Sequence, residues 1–188
     1  MSLLLLPFGF HRHAAVLTIK DIMDSMIDPS ANALWDSMAV HIGAEGTGVK
    51  IPRNDEEWRE LQCKAITLAE AANLLLMPGR RVAKSGEKSE NPKIELQPEQ
   101  IEILIGEDRA AWSALARGLH DSTMPVLDAI EKKDVQALLA GGNALNRACD
   151  KCHQKYWYPN RQKVLQEEAQ RYQRQDRKQS SPRVSKRK

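Results

Sequence analysis

Apolar residues recur at helical spacing in four stretches, and no stretch shows the alternation with turn signals that marks a strand. From about Leu17 to Ile42, the residues Ile19, Ile22, Met23 and Met26 fall at i, i+3, i+4 and i+7, on one helical face. Asp28-Pro29-Ser30 interrupts that face. Pro29 cannot donate to the helix ladder, so the spacing predicts a kink, or a restart with Asp28 as cap. Leu34, Trp35 and Met38 continue the apolar face. From about Asn54 to Met77, Trp58, Leu61, Ala65, Leu68, Ala72 and Leu75 are spaced three and four apart, a seam for packing against neighbours nearly along the axis. A polar stretch from Pro78 to Pro98 follows, long for a helix connection. It folds over something or is simply loose.

The third stretch, about Glu99 to Ile130, carries Ile101, Leu104, Ile105, Trp112, Leu115 and Leu119, with a kink or break predicted near Thr123 because of Pro125. The fourth begins near Lys133 or Asp134 and ends before Pro159. Leu138, Gly142, Leu145, Cys149, Cys152 and Tyr156 repeat the near-heptad spacing. The expected fold is all-α: an antiparallel four-helix bundle over residues 17–160, with a long loop between the second and third helices and a basic C-terminal tail.

A chain of 188 residues suits one such domain with extra ends. The net charge of +3 is uneven: residues 161–188 carry +7 and the remainder −4. A basic appendage on a mildly acidic domain reads as a largely disordered, solvated tail, with an exposed helix at most over Glu167 to Arg177. It does not read as a nucleic-acid-binding fold. Residues 1–16 hold Leu3 to Leu6, Phe8 and Phe10, a short apolar run cut by Pro7 and Gly9 without a basic start; they are expected to be a truncated export signal or a disordered start. No apolar run is long enough to span a bilayer, so no stable membrane insertion is expected.

The candidate chemistry lies in the fourth stretch. The chain has three cysteines, and two stand in Cys149-Asp150-Lys151-Cys152-His153. Residues three and four apart are neighbours on a helix surface, so both thiols and the imidazole share the inward stripe. Three readings compete. C-x-x-C-H is the signature of covalent c-type haem attachment: two thiols one turn apart can form thioethers with the two vinyl groups, and the adjacent imidazole can bind iron. Gly142, on the same stripe, would leave room for the ring. Zinc would need a fourth donor, and Cys63 is the candidate, but it points away from the seam of the second helix. A dithiol redox pair would sit at a helix start beside a sheet, not late in a helix of an all-helical chain. Met23 or Met26, on the buried face of the first helix, could supply a thioether to the far side of a haem iron, although methionine is equally a core filler.

With these residues in view, the chain resembles the class II cytochromes c, the cytochrome c-prime group, over roughly residues 17–160. The resemblance rests on Cys149, Cys152 and His153 near the C-terminal end of an all-helical domain. "CDKCHQKYWYP" and "IKDIMDSMIDPSANALW" look like a proteobacterial branch of that class. It implies one haem c per chain, His153 as the proximal ligand and a distal residue from the first helix. A methionine there implies a low-spin electron carrier; an apolar residue implies a five-coordinate protein binding small gases such as NO or CO. The resemblance favours Met23, with Met26 as the alternative. It also implies periplasmic location and redox partner proteins, with a homodimer left open as a further partnership. Many members carry an arginine one turn before the distal residue, near a haem propionate. Here Ile19 or Ile22 stands in that place, leaving Lys20, Arg80 and Arg81 as candidates. The leading expectation is a one-electron carrier and no enzyme: no nucleophile–base pair or carboxylate dyad stands out, and His11, His13, His41 and His120 are scattered. A non-haem zinc or scaffold bundle is the remaining alternative.

Overall fold

The computed structural model describes residues 16–38, 40–43 and 46–180. All but the last residue of the segment 1–16, expected to be a truncated export signal or a disordered start, and the basic residues beyond 180 lie outside them.

The first helical segment starts at a capping box. Thr18 Oγ1 accepts from the Asp21 backbone N–H, and the Asp21 carboxylate accepts in return from Thr18 N at 3.0 Å. Lys84 donates to the same carboxylate, which with the Thr18 bonds holds Asp21 down at about 2. From this cap run α1 (Ile19–Ile22), a π-helical turn (Met23–Ile27) and α2 (Asp28–Asp36). The π turn answers the problem posed by Pro29. An inserted residue lets the Asp28 N–H reach back to Met23 O, five residues away, so the chain continues in αR through Ile27 and Asp28. Asp28 is therefore not a cap and the helix does not restart.

α2 ends earlier than the apolar pattern suggests. Ser37 Oγ donates to Leu34 O at 2.6 Å, and Gly43, Gly46 and Gly48 make a further helix costly. A small antiparallel hairpin follows instead, β1 (Val40–Gly43) on β2 (Gly46–Val49), with Val40 opposite Val49. This is a correction to the expected helix through Ile42 and to a chain read as strand-free.

α3 (Asp55–Leu74) begins where Asn54 accepts from the Glu57 N–H at 2.9 Å. Its whole seam, Trp58 through Leu75, is buried, while Cys63 is exposed. The third apolar stretch is two helices, α4 (Pro98–Glu107) and α5 (Arg109–Glu131). The break is at Asp108, at φ −137° and ψ 68°, not at Pro125; α5 runs through Pro125 without interruption. Asp108 caps α5 by accepting from Ala111 N at 2.9 Å. Near Pro125, the Ser122 and Thr123 hydroxyls donate to Gly118 O and Leu119 O at 2.8 Å each. Lys133, at φ 52°, takes the left-handed turn after α5. Asp134 then caps α6 (Val135–Tyr156).

The described residues pack as a predominantly helical bundle. α5 lies against α3 and α6, and α3 against α2 and the π turn. Leu34, Leu68, Leu138 and Leu145 are fully buried, each stabilising the fold by about 1.5–3 kcal/mol through apolar burial. Within the tail, where an exposed helix is expected at most over Glu167 to Arg177, the helix is longer: α7 spans Arg161–Ser180, with its described side chains exposed apart from the half-buried Val164. No glycine or proline falls within it, and Gln, Glu, Arg and Lys are good helix formers.

The long connection after α3 is not loose. Ile19 N donates to Arg81 O at 2.8 Å and Lys20 N to Val82 O at 2.9 Å, and Val82 and Ala83 are buried. Further on, Leu96 N donates to Trp157 O at 2.8 Å. The connection therefore folds over the start of α1 and the end of α6.

Candidate functional site

Cys149, Cys152 and His153 stand in the last two turns of α6. That end is fixed by its neighbours. Tyr156 is buried edge-on against Trp112, with ring centroids 5.2 Å apart. Lys155 pairs with Asp108 at 3.2 Å. Trp112 in turn donates from Nε1 to Leu75 O at 3.0 Å, satisfying an orphan carbonyl at the end of α3.

The three side chains line one cavity of about 210 Å³, together with Met23, Ile27, Asp28, Ala31 and Trp35 of the first segment and Leu115, Ala116 and Leu119 of α5. A second cavity of about 240 Å³ adjoins it, sharing Met23, Asp28, His153 and Tyr158, with the connection after α3 on its other side. A larger hollow of about 760 Å³ between α2 and α3 holds neither thiol nor imidazole.

The π turn separates the two candidate methionines. Both are half-buried, yet Met23 lines both cavities and Met26 lines neither. The extra residue in the turn rotates Met26 off the face it would share with Met23 in a regular helix.

Burial pushes the Cys149 thiol up to about 11 and the Cys152 thiol up to about 12. Their place near a helix C-terminus also works against thiolates. Both are free and half-buried, held as neutral thiols at neutral pH. That suits neither a zinc thiolate site nor a reactive dithiol, both of which need the anion. Cys63, the fourth zinc donor considered, is on the exposed face of α3. Among the described residues no group of three or more His, Cys, Asp or Glu is placed to hold a metal ion.

Burial likewise lowers His153, against the opposing pull of Asp28 and Asp150, which favours a neutral imidazole. Its Nδ1 lies 3.3 Å from the Tyr158 hydroxyl. With Nδ1–H donating to that oxygen, Nε2 keeps its lone pair for a ligand. Tyr158 is placed by its own N–H on His153 O at 2.9 Å and by Arg161 over its ring at 5.1 Å.

Of the three cations considered for a propionate, Lys20 alone lines either cavity. Arg80 is buried and donates to Leu74 O, Leu17 O and Met77 Sδ. Arg81 is exposed and pairs with Glu102 at 3.7 Å. Gly142 does not open the cavity. A Cβ there would meet Met38 Cε at 2.5 Å, so methionine fills the space expected for a ring. His120 is partly exposed beside Asp121 at 3.1 Å, away from the site.

Trp35, Asp28 and Tyr158 are site residues that motif reading misses. The indole Nε1 of Trp35 is buried with no hydrogen-bond partner among the described residues, and Trp35 is one of the residues lining the cavity. A buried donor left unpaired costs about 1–3 kcal/mol.

Compared with family models, characterised proteins and solved structures, the chain matches none.

Proposed function

We propose that this chain is a haem c protein that carries one electron at a time, built as an antiparallel four-helix bundle similar to the class II cytochromes c. The observation that carries the reading is the shared cavity: two neutral thiols one turn apart, an adjacent imidazole and the thioether of Met23 all line it. This donor set suits haem because the macrocycle supplies four iron ligands, so the protein need supply no more than two.

Cys149 and Cys152 would hold the group covalently, and His153 and Met23 would be its iron ligands from the protein. Bound there, haem supplies a one-electron couple. The chain's own residues set its conditions. Tyr158 keeps the proton on Nδ1 of His153. Ile27, Ala31, Leu115, Ala116 and Leu119 keep the cavity apolar. Because c-type haem is attached outside the bacterial cytoplasm, the reading places the protein in the periplasm, working with redox proteins.

Visible absorption of the haem-loaded chain and two variants tests this. The parent is expected to be low-spin. Met23→Leu should become high-spin and bind carbon monoxide, whereas Met26→Leu should change little, since leucine conserves packing volume. A parent that is already high-spin and takes up carbon monoxide would make this a five-coordinate gas binder instead.

A further inference from the structure

The cavity has a second, thinner wall. Leu115 and Ala148 line the internal cavity, and the same two residues line an open groove of about 400 Å³ on the outer face between α5 and α6. One layer of side chains therefore separates the site from solvent there. Gly118 and Ala144 keep the groove shallow-walled, and nothing lies within 4 Å of where a Gly118 Cβ would stand.

The groove's charge is of one sign. Arg147 and Lys151 line it, one turn apart and both exposed; no carboxylate lines it, and neither cation is in an ion pair among the described residues. The other approach, through the second cavity, is different. Lys20 and Lys88 there face Asp24, Asp28, Glu90 and Glu95. The chain outside the tail is net negative, so the α5–α6 groove is a local positive patch lying directly over the site.

We infer that the α5–α6 groove is the docking surface for an acidic patch on the redox partner, and that electrons cross the Leu115–Ala148 wall. This rests on the haem reading. Charge complementarity of this kind acts mainly on encounter rate and on its salt dependence.

The test is stopped-flow oxidation of the reduced, haem-loaded full chain by two small reagents. One electron passes from the protein to anionic hexacyanoferrate(III), yielding oxidised protein and hexacyanoferrate(II); the cationic reagent is a cobalt(III) tris-phenanthroline complex, reduced to cobalt(II). The parent should react faster with the anion as salt is lowered. The double variant Arg147→Glu with Lys151→Glu should slow the anionic reagent several-fold, flatten or reverse its salt dependence and speed the cationic one, a split that a change in driving force alone would not produce, with the covalent haem and the low-spin spectrum retained. Lys88→Glu, at the other approach, should leave both rates near the parent's. Equal rates for parent and double variant, with haem present, overturn the inference. A larger effect from Lys88→Glu moves the entry to the other approach and overturns it too. A chain that takes up no haem fails the underlying reading instead, and is recognised by its missing visible bands.

Discussion

His153 and Tyr158 show how much one side chain can decide. An imidazole can ligate through Nε2 when its proton sits on Nδ1, and the Tyr158 hydroxyl, 3.3 Å from Nδ1, can accept that proton. Accepting that proton also makes the imidazole a stronger donor, which stabilises the oxidised state. Tyr158→Phe should therefore keep the covalent haem and the low-spin spectrum, raise the midpoint potential, and quicken exchange of the Nδ1 proton seen by NMR. An unchanged potential with an unchanged exchange rate would mean that the phenol merely packs. The motif Cys149-Asp150-Lys151-Cys152-His153 was legible from spacing alone, because a helix turns i, i+3 and i+4 to one face. Tyr158 was not, since it follows the C-terminus of α6 and reaches back through a turn that no periodicity describes.

At the scale of elements, helices were legible where burial is periodic and illegible where single residues override the period. The seam of α3 is buried as spaced. By contrast, the third stretch breaks at Asp108, whose side chain caps α5 and pairs with Lys155, while Pro125 is absorbed within α5. The π turn at Met23–Ile27 parts the two methionines, leaving Met23 on the cavity and Met26 off it, and no α-helical pattern contains it. Close helix approach was also hidden. A Cβ on Gly141 would lie 2.8 Å from Val126 Cγ2, on a stiff β-branched side chain, whereas at Gly142 it would meet the flexible end of Met38. Gly141→Ala should destabilise the fold by about 1 kcal/mol net, overpacking offsetting the gain in helix propensity. Gly142→Ala should be near neutral. Urea unfolding of the two variants separates these outcomes, and equal midpoints would show that α5 and α6 can part at no cost.

For the whole molecule, the connection after α3 ties the two ends that matter. It holds the start of α1 through Arg81 and Val82 and the end of α6 through Leu96. Composition suggested looseness there; the backbone bonds and the buried Val82 show why a polar stretch can still be ordered. The fold thereby brings Met23, near one end of the described chain, to the cavity of Cys149, Cys152 and His153, a juxtaposition that spacing could only suggest. The central claim is that this cavity holds covalent haem. Mass spectrometry of the chain matured with a c-type haem assembly system tests it most directly. The account predicts one haem mass per chain, retained after denaturation and absent from the Cys149→Ala, Cys152→Ala double variant. A chain of unmodified mass, or an adduct that survives loss of both cysteines, would contradict it.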